Sequence, residues 1–299
     1  MKRRLSLLLL LSISILSTPS WALGKLGHQL VCQLSFELLP PANQQKVIQL
    51  LATLPVKDQA AINRYNHQPK NQIISFADSC TWADAIKRED SFARFKSWHY
   101  LNVAREHTGI NENSCEKDCL TQAISYHQQQ LIKAQDKYEK VAALMFLSHW
   151  LGDIHQPLHV SFASDLGGNK NKVIPAVGRC GNLHWYWDEC LLYPLNKPEE
   201  NFDYSTFKHS LYRGLKTALS TAPVKQWRHS TIIDWANESL TIVRSDALQY
   251  CHNSGEVCQS NQDQTIKLTN DYHLKYQALL KQRMMQAAVR LSEVLNNSL

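Results

Sequence analysis

The sequence lacks several features that define whole classes of protein. Beyond residue 22 it has no apolar run long enough to span a bilayer, no internal repeat, no low-complexity linker and no convincing alternation of polar and apolar residues. These absences argue against a polytopic membrane protein, a repeat protein and a mainly β protein. The apolar spacing that remains is typical of helices, so we expect one mostly α-helical domain.

The first 22 residues have the pattern of a secretory signal peptide. A basic start is followed by an apolar centre over 5–16 and by small residues up to Ala22. We therefore expect cleavage between Ala22 and Leu23, export to the periplasm or the medium, and a mature domain over 23–299. An uncleaved membrane tether is the alternative.

All eight cysteines lie beyond the predicted signal peptide. In an oxidising compartment they allow four disulfides. Three pairs are close enough in sequence to close small loops, which leaves one longer-range pair, but sequence alone does not fix the connectivity. The pairs considered are Cys115/Cys119, Cys180/Cys190, Cys251/Cys258 and Cys32/Cys80.

Charge gives only a weak indication of the substrate. The formal net charge is +6, and the signal peptide carries three of the positive charges and no negative one. The mild excess left after cleavage fits an anionic substrate. It does not indicate an extended platform for nucleic acid.

Apolar residues recur at helical spacing in several segments. Pro40 and Pro41 end the first of these, and a strongly apolar run precedes His149. The last segment is rich in Leu, Met, Ala, Lys and Gln, which favour helices. The spacing predicts helices over 26–39, 43–54, 121–149, 207–222, 235–250 and 272–295.

The stretch 149–159 combines a buried helix with ionisable side chains. His149 and Asp153 stand four residues apart and so leave the same face of the helix. Pro157 is expected to end this helix, and His159 follows just past the break, where the chain can fold back. Converging imidazoles and a carboxylate suit a divalent metal. The alternative is a buried ion pair between His149 and Asp153.

A second pair with the same spacing favours the metal. His184 and Asp188 again stand four residues apart, among aromatic residues. Two such pairs together with His159 exceed what a protein core normally contains, because a buried charge without a partner costs several kcal/mol.

Eight imidazole and carboxylate groups are candidate ligands, and no cysteine is among them. This donor set is typical of zinc in catalytic sites with open positions. Eight ligands are too many for one ion, so we expect Asp153 to bridge two metals. His155 points away by helical phase and is assigned a supporting or structural role. The candidates are His28, Asp84, His99, His149, Asp153, His159, His184 and Asp188.

Five short motifs occur in the order and spacing of a known family. Together they cover most of the mature chain, and they resemble those of the zinc-dependent, single-strand-specific nucleases of the nuclease S-one and P-one type. The bacterial zinc-dependent phospholipases C are structural relatives of this family. The motifs are W-A-D at 82–84, W-H-Y at 98–100, H-x3-D-x2-Q-P-L-H at 149–159, G-G-N-K at 167–170 and N-L-H-x3-D at 182–188.

The resemblance implies a mostly helical fold with three zinc ions in one cleft. It assigns the first zinc to Asp84, His99, His149 and Asp153. It assigns the second to His159, His184 and Asp188. The third would be held by His28, by Asp153 as a bridge, and by the amino nitrogen and carbonyl oxygen of the mature first residue.

The third site depends on where the mature chain begins. In the family the first residue is usually a tryptophan, five positions before the histidine that corresponds to His28. Trp21 lies seven positions before His28, whereas Leu23 lies five before it. Cleavage after Ala22 would therefore supply this ligand, and leucine is compatible because both ligand atoms belong to the backbone.

Three further residues have roles implied by the resemblance. Tyr100 corresponds to an aromatic residue that stacks on a base, with core packing as the alternative. Asn102 stands where fungal members have a base-binding aspartate, which leaves the base preference open. Lys87 stands where an arginine neutralises the scissile phosphate, and it supplies the charge without the bidentate fork. Arg88, the next residue, is a substitute for Lys87 at the phosphate. The alternative for Lys87 is a solvated surface charge.

The implied function is an exported zinc-dependent endonuclease that hydrolyses single-stranded DNA and RNA to 5′-phosphate products, with 3′-nucleotidase as a candidate further activity. Zinc would activate water for attack on phosphorus, with Asp84 orienting the water and Asp153 bridging the metals. We expect a monomer without a stable protein partner. The alternatives are a zinc-dependent phospholipase C and a non-catalytic exported zinc-binding protein.

Overall fold

The computed structural model describes residues 23–197, 201–261 and 263–299, so the predicted signal peptide lies outside the described residues. Within them the chain is mostly helical. The α-helices are α1 (Gly24–Leu38), α2 (Pro41–Leu51), α3 (Val56–Tyr65), α4 (Phe76–Ser79), α5 (Trp82–Ile86), α6 (Leu120–Lys133), α7 (Lys137–Asp153), α8 (Leu183–Asp188), α9 (Tyr204–Leu219), α10 (Val224–Arg228), α11 (Ile232–Val243) and α12 (Asn270–Asn296).

Strands are short and form three two-stranded sheets in this part of the chain. Two sheets are parallel, β1 (Leu101–Val103) with β2 (Val160–Phe162) and β3 (Val173–Ile174) with β6 (Ile266–Lys267). The third is the antiparallel hairpin of β4 (Cys251–Ser254) and β5 (Val257–Ser260). Turns of 3-10 helix lie at Asp90–His99, Glu112–Ser114, Pro157–His159, Ala163–Asp165, Cys190–Leu192 and Asp246–Leu248.

The expectation of one mostly helical domain is confirmed, with three local corrections. The segment predicted as a helix over 121–149 is two helices, because Asp136 begins α7 by accepting hydrogen bonds from the backbone N–H groups of Tyr138 and Glu139. The helix predicted over 235–250 ends at Val243. Helix α3 was not predicted from the apolar spacing.

A further correction concerns Pro157. Helix α7 ends at Asp153, four residues before the proline. Gln156 is extended, as is usual for a residue that precedes proline, and Pro157 then begins a 3-10 turn that carries His159. The chain reverses direction as expected, but the reversal begins about one helical turn before the proline.

Helix α7 is the centre of the hydrophobic core. From Ala143 to Asp153 every residue is buried, so the helix has no solvent face and is enclosed by its neighbours. It packs against α6 on one side and against α1, α5 and α12 on others, and α1 in turn packs along α12. The C-terminal end of α7 therefore opens into the middle of the protein, beside the start of α1.

Parallel pairing of β1 with β2 joins two distant parts of the sequence at this point. Leu101 pairs with Val160, so the residues just before them, Tyr100 and His159, lie side by side. This register also brings His99 next to His159, whose Nδ1–H donates to the His99 carbonyl at 2.6 Å. The sheet thus connects two of the predicted metal sites.

The eight cysteines form four disulfides with the pairing considered from sequence: Cys32–Cys80, Cys115–Cys119, Cys180–Cys190 and Cys251–Cys258. The first of these ties α1 to the residues just before α5. Across the described ranges, no helix combines the length and the apolarity required to cross a membrane.

Candidate metal centre

The predicted ligand side chains converge at the C-terminal end of α7. They form three groups in which the nitrogen and oxygen atoms lie within 4.8 Å of one another, and every member is buried. The groups are His28/His149/Asp153, Asp84/His99/His149 and His159/His184/Asp188. All eight candidate ligand side chains predicted from the sequence are therefore brought together in one centre.

Backbone carbonyls orient three of the histidine rings. The Nδ1–H of His149 donates to Cys80 O at 2.7 Å, that of His159 to His99 O at 2.6 Å, and that of His184 to Gly167 O at 2.7 Å. Each bond fixes a proton on Nδ1 and leaves Nε2 directed at the centre as the atom that a metal can bind. This is the arrangement usually found around metal-binding histidines.

Several atoms in the centre are buried without a hydrogen-bond partner among the described residues. They are both ring nitrogens of His28, the Nε2 atoms of His159 and His184, one oxygen of Asp153 and one oxygen of Asp188. Leaving such atoms unsatisfied is costly, and native proteins rarely do so. Imidazole nitrogens and carboxylate oxygens that face one another in this way fit a metal ion as the missing partner.

Asp153 lies between the groups. Its Oδ1 is 3.3 Å from His28 Nε2, whereas its Oδ2 is 3.1 Å from His99 Nδ1 and 3.4 Å from His149 Nε2. Burial disfavours the charged form, but His149 and His159 outweigh this effect and hold the pKa of Asp153 well below its usual range. The carboxylate is therefore ionised and presents different oxygens to different ligand groups.

Gln156 supports Asp188 and was not singled out by the sequence analysis. Its amide nitrogen donates to Asp188 Oδ1 at 2.6 Å, and its amide oxygen accepts from Leu158 N at 2.6 Å. Gln156 thereby joins the turn that carries His159 to the carboxylate of the same group. Its place inside the 149–159 motif was the available signal.

Asp84 is held by two neighbours. Lys87 Nζ lies 3.0 Å from Asp84 Oδ1, and the Tyr65 hydroxyl donates to Asp84 Oδ2 at 3.1 Å. Burial opposes ionisation, but Lys87 and the adjacent histidines outweigh it and lower the pKa of Asp84. The alternative of a solvated surface charge for Lys87 is wrong, because its side chain is 19% exposed and pairs with a buried carboxylate. Nothing in the sequence indicated Tyr65.

The ring of His28 packs against α7 at Gly152, where the helix has no side chain. This ring stacks on that of His149, with centroids 3.8 Å apart. Gly152 makes room for it, since a Cβ at that position would lie 2.5 Å from His28 Nδ1. The same added Cβ would lie 3.5 Å from the side chain of Leu23, which is 1% exposed. Leu23 and His28 thus both pack against Gly152, the residue before Asp153.

Tyr100 and Asn102 lie at the edge of the centre. Tyr100 follows His99 directly and is 40% exposed, which excludes the alternative role in core packing. Asn102 is half-buried in β1, and its Oδ1 is buried without a hydrogen-bond partner in the described part of the chain. A ring face and an unpaired amide oxygen are groups that can contact a nucleobase.

A helical domain with three convergent histidine–carboxylate groups has the site of a multinuclear metal-dependent hydrolase. Comparison with known proteins specifies the class further. The model of the S1/P1 Nuclease family matches residues 23–299. The chain belongs to this family, which is zinc-dependent in general, and it is a phosphodiester-hydrolysing endonuclease that acts on nucleic acid.

Characterised relatives are similar at low identity over most of their length. Endonuclease 3 of Arabidopsis thaliana is 27% identical over 287 residues, which cover 91% of this chain and 87% of the relative. Endonuclease 2 of the same plant is 27% identical, with 91% and 89% covered. Nuclease S1 of Aspergillus oryzae is 28% identical over 239 residues, with 72% and 76% covered.

Proposed function

We propose that this endonuclease is exported, binds three zinc ions and cleaves single-stranded DNA and RNA to leave 5′-phosphates, with 3′-nucleotidase activity at the same centre. The observation that carries the proposal is the convergence of three buried ligand groups around Asp153, with unsatisfied nitrogen and oxygen atoms in the groups of His28 and of His159. Zinc fits because the donors are imidazoles and carboxylates without a thiolate.

The proposed ligand sets follow these groups. Asp84, His99, His149 and Asp153 would hold one ion, and His159, His184 and Asp188 a second. His28, Asp153 and the backbone of Leu23 would hold the third, which requires cleavage after Ala22. The different orientations of the two Asp153 oxygens, one towards His28 and one towards His99, support its role as a bridge.

When bound, zinc would polarise the phosphodiester and lower the pKa of water towards neutrality. The residues of the chain prepare the site for this chemistry. Asp84, fixed by Tyr65 and Lys87, is an ionised acceptor that can orient the attacking water. The Lys87 ammonium offsets the charge of the scissile phosphate. Asp153 and Asp188 stay ionised because neighbouring histidines lower the pKa of each carboxyl against the effect of burial.

Preference for single strands would follow from recognition of an unstacked base. Tyr100 offers an exposed ring beside His99, and stacking on a ring tolerates any base. Asn102 offers an amide to the edge of the same base. A base inside a duplex is stacked on both faces and cannot reach such a ring without being unpaired.

The proposal is tested on the secreted protein by intact mass, zinc content and digestion of matched single-stranded and duplex DNA. We expect a chain that begins at Leu23, about three zinc ions per chain, preferential digestion of the single strand and 5′-phosphorylated products. Two zinc ions with a different first residue would remove the third site. Equal digestion of the duplex, or 3′-phosphorylated products, would contradict the proposed specificity and bond cleaved.

A further inference from the structure

The G-G-N-K motif forms a loop with a strained backbone beside His184. Leu166, Gly167 and Gly168 have φ angles of +56°, +62° and +84°, so consecutive residues lie in the left-handed region. Leucine adopts this region only at a cost in free energy. Gly167 has no room for a side chain, because a Cβ there would lie 2.6 Å from Leu158 O. Such a conformation persists only where surrounding contacts hold it.

One peptide group of this loop lies between His184 and a buried carboxylate. Its C=O belongs to Gly167 and accepts from His184 Nδ1–H at 2.7 Å. Its N–H belongs to Gly168 and donates to Oδ1 of Asp165, which has no exposed surface, at 3.1 Å. None of the described peptide bonds is cis, and a trans peptide directs its C=O and N–H to opposite sides. Carboxylate, peptide and imidazole therefore form one chain of hydrogen bonds.

Asp165 is held from its other side by Arg105 and Tyr250. Arg105 Nη2 lies 2.5 Å from Asp165 Oδ2, and the Tyr250 hydroxyl donates to Asp165 Oδ1 at 2.5 Å. Arg105 is fixed in turn, because its Nε donates to Ser164 Oγ at 2.8 Å and its Nη1 donates to Cys258 O at 2.9 Å. The buried carboxylate thus has a counter-charge and donors on both oxygens, as a buried charge requires. The oxygen that faces the loop is fixed in place.

The other two histidines that donate to a backbone carbonyl in the metal centre lack such a carboxylate. For His149, whose partner is Cys80 O, the N–H of the same peptide group donates to another backbone carbonyl at 3.2 Å. For His159, whose partner is His99 O, the corresponding distance to a backbone carbonyl is 3.4 Å. A charged acceptor strengthens a hydrogen bond, and bonds in a chain polarise one another. The carbonyl that His184 contacts is therefore the strongest acceptor of the three.

We propose that Asp165 is a positioning residue for the ligands His159, His184 and Asp188, here called the His184 group. Through the Gly167–Gly168 peptide, its carboxylate holds the His184 ring with the proton on Nδ1 and with Nε2 directed at Asp188. A carboxylate bonded directly to a ligand histidine has this role in many metal sites. The proposal rests on the proposed function, since it requires an ion bound by the His184 group.

The test measures how tightly each ligand group binds zinc. Wild-type enzyme and Asp165→Asn are equilibrated at a series of buffered free zinc concentrations, and the occupancy of each group is read from zinc-edge anomalous scattering in crystals. Asparagine keeps an oxygen for the Gly168 N–H but lacks the charge. The zinc concentration that half-fills the His184 group should therefore rise by about tenfold, the lower end of the effect of losing a group that orients a ligand. The other two groups should fill as in the wild type.

Arg244→Met is the control for a general loosening of the neighbouring hairpin. Arg244 donates to Arg105 O at 2.9 Å and to Glu256 O at 2.6 Å. Its hydrogen bonds within the described residues do not reach Asp165 or the loop. We expect this variant to lower the free energy of unfolding and to leave the zinc occupancy of the His184 group unchanged.

A second pair of variants leaves Asp165 itself intact and decides the question where Asp165→Asn does not fold. Arg105→Met and Arg105→Lys both lose the guanidinium fork that contacts Ser164 and Cys258. Lysine alone keeps a positive charge beside the Asp165 carboxylate. The affinity of the His184 group should fall in Arg105→Met and should return towards the wild-type value in Arg105→Lys.

The outcomes separate the two proposals. If wild-type enzyme binds no zinc at the His184 group, the ligand set of the proposed function fails, and the role of Asp165 fails with it. If the wild type binds zinc there but Asp165→Asn and Arg105→Met keep the wild-type affinity, the positioning role alone is overturned. An equal loss at all three groups, or the same loss in Arg244→Met, would show a purely structural role and would also overturn it.

Discussion

Two clusters of buried charge lie within a few residues of each other, and they differ in how completely their polar atoms are satisfied. The metal centre gathers histidines and carboxylates around Asp153 and leaves several atoms without a partner among the described residues. The second cluster, here called the arginine cluster, consists of Arg283, Arg290, Glu238, His155 and Ser239. None of its side-chain atoms is among the unsatisfied ones.

The arginine cluster holds the turn that follows Asp153. Arg283 Nε donates to His155 O at 3.2 Å, and the Ser239 hydroxyl donates to Ile154 O at 2.6 Å. Arg290 forms a bidentate pair with Glu238, at 2.6 and 2.7 Å. It also donates to His155 Nε2 at 2.8 Å. Helices α11 and α12 thereby fix the segment between two of the candidate ligands, Asp153 and His159.

The contrast between His155 and His159 shows what distinguishes a structural histidine from a ligand. Both are buried, and both donate Nδ1–H to a backbone carbonyl. The Nε2 of His155 accepts from an arginine, whereas the Nε2 of His159 has no hydrogen-bond partner in the described structure. Burial and residue type are the same, so the Nε2 atom without a hydrogen-bond partner is the evidence for a metal.

The largest predicted effect comes from Asp153→Asn, which removes the bridging charge. Loss of residues that only orient metal ligands typically costs about 10–100-fold in affinity or activity. Loss of a bridging ligand should cost more, so we expect hydrolysis of single-stranded DNA and RNA to be abolished and zinc content to fall. Glu139→Gln, an exposed acid on the same helix, is the control. Wild-type turnover in Asp153→Asn would refute the bridging role.

A substitution in the arginine cluster should lower the free energy of unfolding instead of the activity. Glu238→Gln leaves Arg283 and Arg290, each 2% exposed, without a counter-charge. Breaking such a pair costs about 3–5 kcal/mol, and the lower end applies because Glu238 itself is 34% exposed. The free energy of unfolding is measured in urea, with and without zinc. Glu37→Gln breaks an exposed pair with Lys216 and should cost less than about 1 kcal/mol. Equal losses in the two variants would contradict the comparison.

Gly152→Ala should affect one ligand group and spare another. The new methyl group would lie 2.5 Å from His28 Nδ1, so His28 must move away from Asp153. We expect zinc content to fall by about one ion and stability to fall by about 1–3 kcal/mol from overpacking. Gly214→Ala, where the added Cβ meets nothing within 4 Å, should instead stabilise α9 by about 1 kcal/mol. Unchanged zinc content in Gly152→Ala would show that His28 is not a ligand.

Part of this centre could be predicted from local spacing, and the full ligand sets followed from the resemblance of the five motifs to a known family. His149 and Asp153, and likewise His184 and Asp188, share a helix face at four-residue separation. The contributions of Tyr65 and Gly152 could not be predicted. Tyr65 reaches Asp84 from another helix, and Gly152 matters through the space that it leaves for a ring on α1. Such effects arise from packing between elements, which no local pattern encodes.

The secondary structure, too, could be predicted only in part from the sequence. Long apolar segments gave helices with ends displaced by a few residues, because caps such as Asp136 decide where a helix begins. Strands of two to four residues carry too short a pattern to be recognised. The pairing of β1 with β2 is nevertheless what places His99 beside His159.

The pH dependence of zinc binding should also differ between the metal centre and the arginine cluster. Burial lowers the pKa of His159, but Asp153 and Asp188 outweigh it and raise the pKa to about 9 in the metal-free protein. This proton stabilises the metal-free fold fully below the ordinary pKa of 6.5, and the contribution is lost as the pH rises through 9. Zinc requires the neutral ring and must displace the proton, so His159 alone should raise the affinity by about tenfold per pH unit up to about pH 9.

His155 should contribute nothing to this dependence, because burial and then the two arginines hold its pKa well below the ordinary value and its ring is uncharged at neutral pH. The dissociation constant for zinc is measured from pH 6.5 to 8.5, together with proton release in weak buffer. His209→Gln, which removes an exposed histidine of α9, should leave the dependence unchanged. An affinity that does not vary over this range would mean that His159 is already neutral, and that the carboxylates around it are compensated by the other histidines of the centre.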